Sequence, residues 1–194
     1  MEDALDRALD WIKAPAARRP LLESFAEWLQ VEAIPAGGLG PEEGARVLER
    51  HVVDSLLFAG VWRTEGVVLD VGTGVGLPGI PLALAFPERS VTILDRSSRR
   101  LQLARRALRV LDVENVEVVQ GDVGETGWAD AVVVSRASLS PADLRSLADR
   151  RGPPRELLVA GSHVTAPEVD GFETVEIPSE ILARPVWILR MAQS

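Results

Sequence analysis

The segment Val67-Val68-Leu69-Asp70-Val71-Gly72-Thr73-Gly74-Val75-Gly76-Leu77-Pro78-Gly79 constrains this chain more than any other. A run of branched apolar residues passes directly into glycines and then into Pro78 and Pro81. A helix tolerates proline only in its first turn, where the amide donors lack partners in any case. The segment therefore predicts a buried strand, a tight loop and the start of a helix. Glycines in such a loop accept positive φ and let a ligand approach the backbone closely. Gly74, Gly76 and Gly79 satisfy the G-x-G-x-x-G spacing of dinucleotide sites, so a nicotinamide or flavin enzyme is one reading.

The rest of the chain sets this loop in an alternating pattern. Residues 1–60 read as helical, with Leu5, Leu9 and Ile12, and then Leu21, Leu22, Phe25, Trp28 and Leu29, at helical spacing. Pro15, Pro20 and the loop Ile34 to Pro41 break this region, and a third helix is predicted from about Glu42 to Ala59. From residue 66 onward, short apolar runs alternate with amphipathic stretches, the rhythm of a parallel sheet wrapped by helices. Strands are predicted near 66–71, 90–95, 115–120, 130–135, 155–160, 172–177 and 185–191. Helices are predicted over 98–111 and 141–150. Only a turn of helix fits between the last elements, so the final two strands are expected to pair antiparallel at an edge. The fold class is α/β: a Rossmann-like seven-stranded sheet in one unit over 61–194, with a helical cap over 1–60.

Acids at three strand ends decide which cofactor the loop suits. Asp70, two residues before Gly72, would oppose a pyrophosphate but suits the ammonium and sulfonium charges of S-adenosylmethionine. Asp95 ends the second strand, where an acid accepts hydrogen bonds from ribose hydroxyls. Asp122-Val123-Gly124 follows the third strand and is placed to hold an adenine. The expected cofactor is S-adenosylmethionine, and Arg96 beside Asp95 joins the candidate set.

Composition removes other classes. The 194 residues contain no cysteine, which excludes a disulfide framework, a thiolate metal site and a cysteine nucleophile. No run is apolar enough to span a bilayer, and the acidic start does not resemble a secretory signal, so a cytoplasmic monomer is expected. No metal-ligand spacing is present. The net charge of −8 argues against indiscriminate binding to nucleic acid. Yet Arg96, Arg99, Arg100, Arg105, Arg106 and Arg109 lie in a stretch without acids, which is either a solvated helix face or a phosphate contact surface. His51 reads as a helix histidine satisfied by Asp54 or as an RNA contact, with Arg99 and Arg100 as companions in the latter role. The five tryptophans are scattered and read as packing residues. Arg136, a charge at the end of a buried strand, needs a partner, and a ligand is the favoured one.

Three stretches resemble one family. Arg50-His51-Val52-Val53-Asp54-Ser55-Leu56 resembles the R-H-I-L-D-S-L of the GidB (RsmG) methyltransferases, Asp70 to Pro81 resembles their D-V-G-T-G-x-G-L-P-G-I-P, and Ser135-Arg136-Ala137 resembles their S-R-A. The likeness covers roughly residues 20–140. It implies methyl transfer to N7 of a guanine in 16S ribosomal RNA, with S-adenosylmethionine held by Gly72, Leu77, Val123, Gly124 and Arg136. Ribosomal RNA or the small subunit is then the partner. Because N7 already carries a lone pair, no catalytic base is required, and Arg136 is the candidate for fixing the cofactor carboxylate or guanine O6. The chain departs from the family at Gln30-Val31-Glu32-Ala33, at Ala160-Gly161 where a lysine-glycine pair is usual, and at Gly124, inserted between Val123 and Glu125. These departures keep two alternatives open: a small-molecule or protein acceptor, and a cofactor-binding relic without turnover.

Overall fold

Near-continuous apolar runs become strands covered on both faces, and this organises the computed structural model, which describes residues 3–160, 165 and 167–193. The strands are β1 (Val68–Val71), β2 (Val91–Asp95), β3 (Val116–Gln120), β4 (Val132–Arg136), β5 (Glu156–Ala160), β6 (Glu173–Glu176) and β7 (Trp187–Ala192). They form one sheet in the order β3-β2-β1-β4-β5-β7-β6. The first five run parallel, with Val68 opposite both Val91 and Val132. β7 is antiparallel to both β5 and β6, so the last two strands do meet antiparallel at an edge. The order in which successive strands are added reverses between β1 and β4, and such a switch point leaves a crevice at the carboxyl ends of the strands.

Alternation along each strand sorts side chains to two apolar layers. Val68, Ile93, Val132 and Val134 share one cluster with α4 (Gly79–Ala85), α5 (Ser98–Val110) and the N-terminal segments. Leu69, Val71, Leu94 and Val133 face the other way, where α6 (Pro141–Arg151) brings Leu144, Leu147 and Ala148 around fully buried Trp128.

The cap begins with α1 (Ala4–Trp11), whose N-cap Asp3 accepts from the amides of Leu5 and Asp6. α2 (Arg19–Trp28) follows, and Arg19 reaches back to Asp3 and Asp6 at 2.7 and 2.6 Å. The cap packs directly on the sheet domain: Phe25, Leu29, Leu56 and Phe58 belong to the cluster that holds Val68 and Ile80.

The single helix expected over 42–59 is instead four pieces of different pitch. A 3₁₀ turn spans Pro41–Arg46, a wide π-like run spans Val47–Val53, α3 covers Asp54–Leu56, and a second 3₁₀ turn covers Leu57–Gly60. In the wide run the carbonyl of Arg50 accepts from Arg136 Nη1 and the carbonyl of His51 from Ser55 Oγ. Side-chain donors of this kind compete with the regular ladder and bend a helix.

Candidate active site

The loop after β1 is built by glycines whose geometry admits nothing larger. Gly72 has φ +75, and a Cβ there would lie 2.3 Å from the Cβ of Ser138. Gly76, at φ +103, would strike the Ile80 side chain at 2.3 Å. The loop folds back on β2: the amides of Gly72 and Thr73 donate to the Leu94 carbonyl at 2.8 and 3.1 Å. Across from it, Ser135 Oγ and Ser138 Oγ lie 2.5 Å apart, and Ala137 adopts φ +54, an uncommon conformation for a residue with a side chain.

These turns enclose a cleft of about 740 Å³ at the switch point, within the range of small-molecule sites. Its wall takes Gly72, Thr73, Gly74 and Leu77 from the glycine loop, Asp95 and Arg96 from the end of β2, and Asp122, Val123 and Gly124 from the loop after β3. The loop after β4 adds Arg136 to Leu139, and α6 adds Ser146, Leu147 and Arg150. Gly38 and Leu39 of the cap also line it. The structure thus brings most of the sequence-predicted cofactor residues to one place.

Two of them lie elsewhere. Asp70 is fully buried beneath the loop and forms no part of the wall. It shares the face of Val68, so it points toward α4, and its Oδ2 accepts from Gly79 N at 2.7 Å and Thr73 Oγ1 at 2.5 Å. The expectation that Asp70 meets the ligand's cationic charges is corrected by strand alternation: its carboxyl ties the two ends of the glycine loop together. Burial pushes this carboxyl up to about 7, against the opposing pull of the Thr73 and Gly79 hydrogen bonds. Gly76 is likewise outside the wall and serves the turn itself.

Asp95 keeps its expected place and acquires a second task. It is 6% exposed, its Oδ2 accepts from Gly74 N at 2.9 Å and its Oδ1 from Ser97 N at 2.8 Å. Arg100 Nη1 stands 3.6 Å away. Each carboxylate oxygen accepts more than one bond, so capacity remains for ligand hydroxyls. Asp122 Oδ1 accepts from Gly124 N at 2.7 Å, shaping the turn after β3 around the inserted glycine.

The residues assigned to RNA, His51, Arg99 and Arg100, engage partners within the chain, although Arg99 and Arg100 stay exposed, and the other arginines of the stripe divide in the same way. Arg99 donates to the Ala36 carbonyl at 2.6 Å, Arg100 pairs with Asp95, Arg105 donates to the Val118 carbonyl at 3.3 Å and Arg106 pairs with Glu32 at 3.0 Å. Arg96 and Arg109 are exposed. Part of the stripe, Arg99 and Arg106, joins the cap to α5. His51 is satisfied, but not by Asp54: Nε2 lies 3.0 Å from Glu43 and Nδ1 3.1 Å from Arg136, while Asp54 pairs with Arg184 at 2.5 Å. Arg136 meets the cap, with Nη1 donating to the Arg50 carbonyl at 2.9 Å.

Sequence reasoning missed two contributors to the cleft. Gly38 and Leu39 were legible only as a loop, although the Gly-Gly-Leu-Gly run announces a close approach: a Cβ on Gly38 would meet Val75 at 2.6 Å. The α6 face with Ser146 and Arg150 carries no motif. Away from the cleft, at the opposite end of the sheet, fully buried Glu156 looks like an ordinary strand acid in sequence, yet it accepts from the amides of Arg63 and Thr64 and from Arg190 at 2.5 Å.

With this geometry in place, the comparisons with known proteins decide the family. A family model described as rRNA small subunit methyltransferase G (GidB) matches residues 18–160. The chain belongs to the GidB family. The Mycobacterium marinum protein named Ribosomal RNA small subunit methyltransferase G is 35% identical over 142 residues, which is 73% of this chain and 61% of that protein. This chain therefore spans less than two thirds of that GidB relative's length. Among solved structures, MtNAS in complex with MTA and tNA has a TM-score of 0.58 at 18% identity, covering 90% of this chain and 71% of that one. The Pyrococcus abyssi tRNA (uracil-54, C5)-methyltransferase in complex with S-adenosyl-L-homocysteine has a TM-score of 0.52 at 18% identity, covering 73% of this chain and 38% of that one. These two likenesses establish that the GidB chain shares a Rossmann-like sheet with them. The GidB match covers all three stretches on which the resemblance rested.

Proposed function

We propose that the chain transfers a methyl group from S-adenosylmethionine to N7 of a guanine in 16S ribosomal RNA, with the RNA or the small subunit as partner. The observation that carries the reading is the convergence of Gly72, Asp95 and the 122–124 turn on one cleft in a GidB-family chain. The fit is supported by the wall itself. Gly72 and Gly74 leave bare backbone at positive φ along the wall, and Asp95, which accepts from Gly74 N at 2.9 Å, lines the same wall with acceptor capacity to spare. Gly72, Gly74 and Leu77 would hold the amino-acid portion, Asp95 the ribose, and Asp122, Val123 and Gly124 the adenine. The bound cofactor supplies an electrophilic methyl carbon on a positively charged sulfur.

The protein's own tasks are then modest. Guanine N7 needs no deprotonation, so the chain must align the acceptor and exclude water. Arg136 is the candidate for orienting the cofactor carboxylate or guanine O6 through its N–H donors. Cytoplasmic location is part of this proposal; among the described residues no helix is long and apolar enough to cross a membrane.

Ala160, where the family usually has lysine, lies in register with Arg136, which favours keeping a second acceptor class in view. The deciding experiment supplies purified protein with tritiated S-adenosylmethionine and either naked 16S RNA, intact small subunits, or small-molecule and protein extract. Label in 16S RNA that maps to N7-methylguanine is expected. Cofactor binding with label only in the extract would transfer the assignment to another acceptor, and binding with no label anywhere would make the chain a relic.

A further inference from the structure

We propose that His51 is a positioning residue for Arg136, with Glu43 behind it, so that the helical cap sets the guanidinium that faces the cleft. The inference deepens the cofactor reading above and rests on it. A guanidinium has donors only, so the Nδ1 that lies 3.1 Å from Arg136 Nη2 must present its lone pair. The ring proton then sits on Nε2 and donates to Glu43 Oε2 at 3.0 Å. The His51 side chain is 12% exposed and that of Glu43 27%, so water competes little for these bonds. The Arg50 carbonyl takes a second Arg136 donor, Nη1, at 2.9 Å. One stretch of the cap thus grips Arg136 at two points, and three of its five N–H donors remain for a ligand.

The tautomer is a consequence of the surroundings. Burial and the Arg136 guanidinium, with a smaller contribution from Arg50, hold the imidazole below its ordinary value, while Glu43 pulls it upward. Asp54, the remaining charged neighbour of Arg136 in the cap, is itself paired with Arg184. A neutral ring is what the arrangement requires, since an imidazolium would stand against the guanidinium at contact distance.

Two measurements test this together. Nitrogen-15 NMR of the 194-residue chain, whose other histidine is His163, reports the His51 tautomer and its titration midpoint. A neutral Nε2–H ring is expected, with a midpoint that rises in Arg136→Gln and falls in Glu43→Gln. Calorimetry with S-adenosylhomocysteine and methyl transfer to small subunits are then compared for His51→Leu and His51→Asn. Leucine should cost about tenfold in binding or turnover, the loss of one hydrogen bond to a charged group, and asparagine, which keeps an acceptor for Arg136, should recover most of it. Wild-type protein that binds no S-adenosylhomocysteine overturns both the cofactor reading and this inference. Wild-type protein that binds it, while the midpoint ignores Arg136 or both His51 variants behave alike, overturns the inference alone.

Discussion

At the scale of single residues, two buried carboxyls in one sheet respond to pH in opposite directions. Glu156 is desolvated, but hydrogen bonds from the Arg63 amide, Arg190 and Thr64 outweigh burial and hold it below its ordinary value. Its stabilising contribution is therefore complete above the ordinary carboxylate range and disappears as pH falls through the folded-state value. Asp70 is the reverse: the folded state keeps its proton up to about 7, the unfolded chain releases it near 3.8, and stability drops as pH rises between those values. Asp70→Asn is expected to remove that slope in urea titrations run from pH 4 to 8. Glu156→Leu takes the buried acid from Arg190, leaving it only half-exposed Glu173 at 3.2 Å, and should cost roughly 3 kcal/mol at pH 7. Gly72→Ala combines a left-handed backbone with a collision on Ser138, and adding Ser138→Gly should restore only the steric part, leaving about 1–3 kcal/mol of backbone cost in thermal denaturation. The glycine requirement was legible in the sequence because spacing alone displays it. The direction of Asp70 was legible too, through strand alternation from Val68, but its attraction to a cation obscured that simpler argument.

At the scale of elements, strands were easy to read and the cap was not. β1, β2, β4 and β5 owe their boundaries to local composition, since a branched apolar run buried on both faces has few other options. Within residues 41–60 the Arg50 carbonyl takes a donor from Arg136, which arrives from β4, so no local pattern could announce that contact. The arginines of α5 illustrate the same limit: their amphipathic spacing was visible, whereas the pairing of Glu32 with Arg106 and of Ala36 with Arg99 joins distant segments. Arg106 is 53% exposed, so Arg106→Ala should lower stability by less than about 1 kcal/mol. Arg99→Ala should instead show itself locally, as faster hydrogen exchange in residues 34–40. At the end of β2, Asp95→Ala removes the acceptor of the Gly74 and Ser97 amides and, on the proposed reading, the ribose acceptor, and calorimetry should register weaker S-adenosylmethionine binding together with a lowered melting temperature.

At the scale of the whole molecule, the division at residue 60 is one of sequence pattern more than of packing. Apolar side chains of the cap and of the α4 face belong to one continuous cluster, so neither half owns a complete core. A fragment comprising residues 61–194 should therefore lack cooperative unfolding and a dispersed NMR spectrum; a well-folded fragment would refute the shared core. Trp11 fits against Gly60 so tightly that a Cβ there would lie 2.2 Å from the indole, which further fastens the junction. The strand order has a consequence for synthesis. β7, the last of the seven to emerge from a ribosome, is not added at the border but slots between β5 and β6. Until residues 187–192 arrive, β6 has nothing to join and the Glu156 carboxylate waits without Arg190. Completion of this architecture is thus postponed until residues 187–192 have been made, and a nascent chain halted before residue 187 carries a sheet with an open flank.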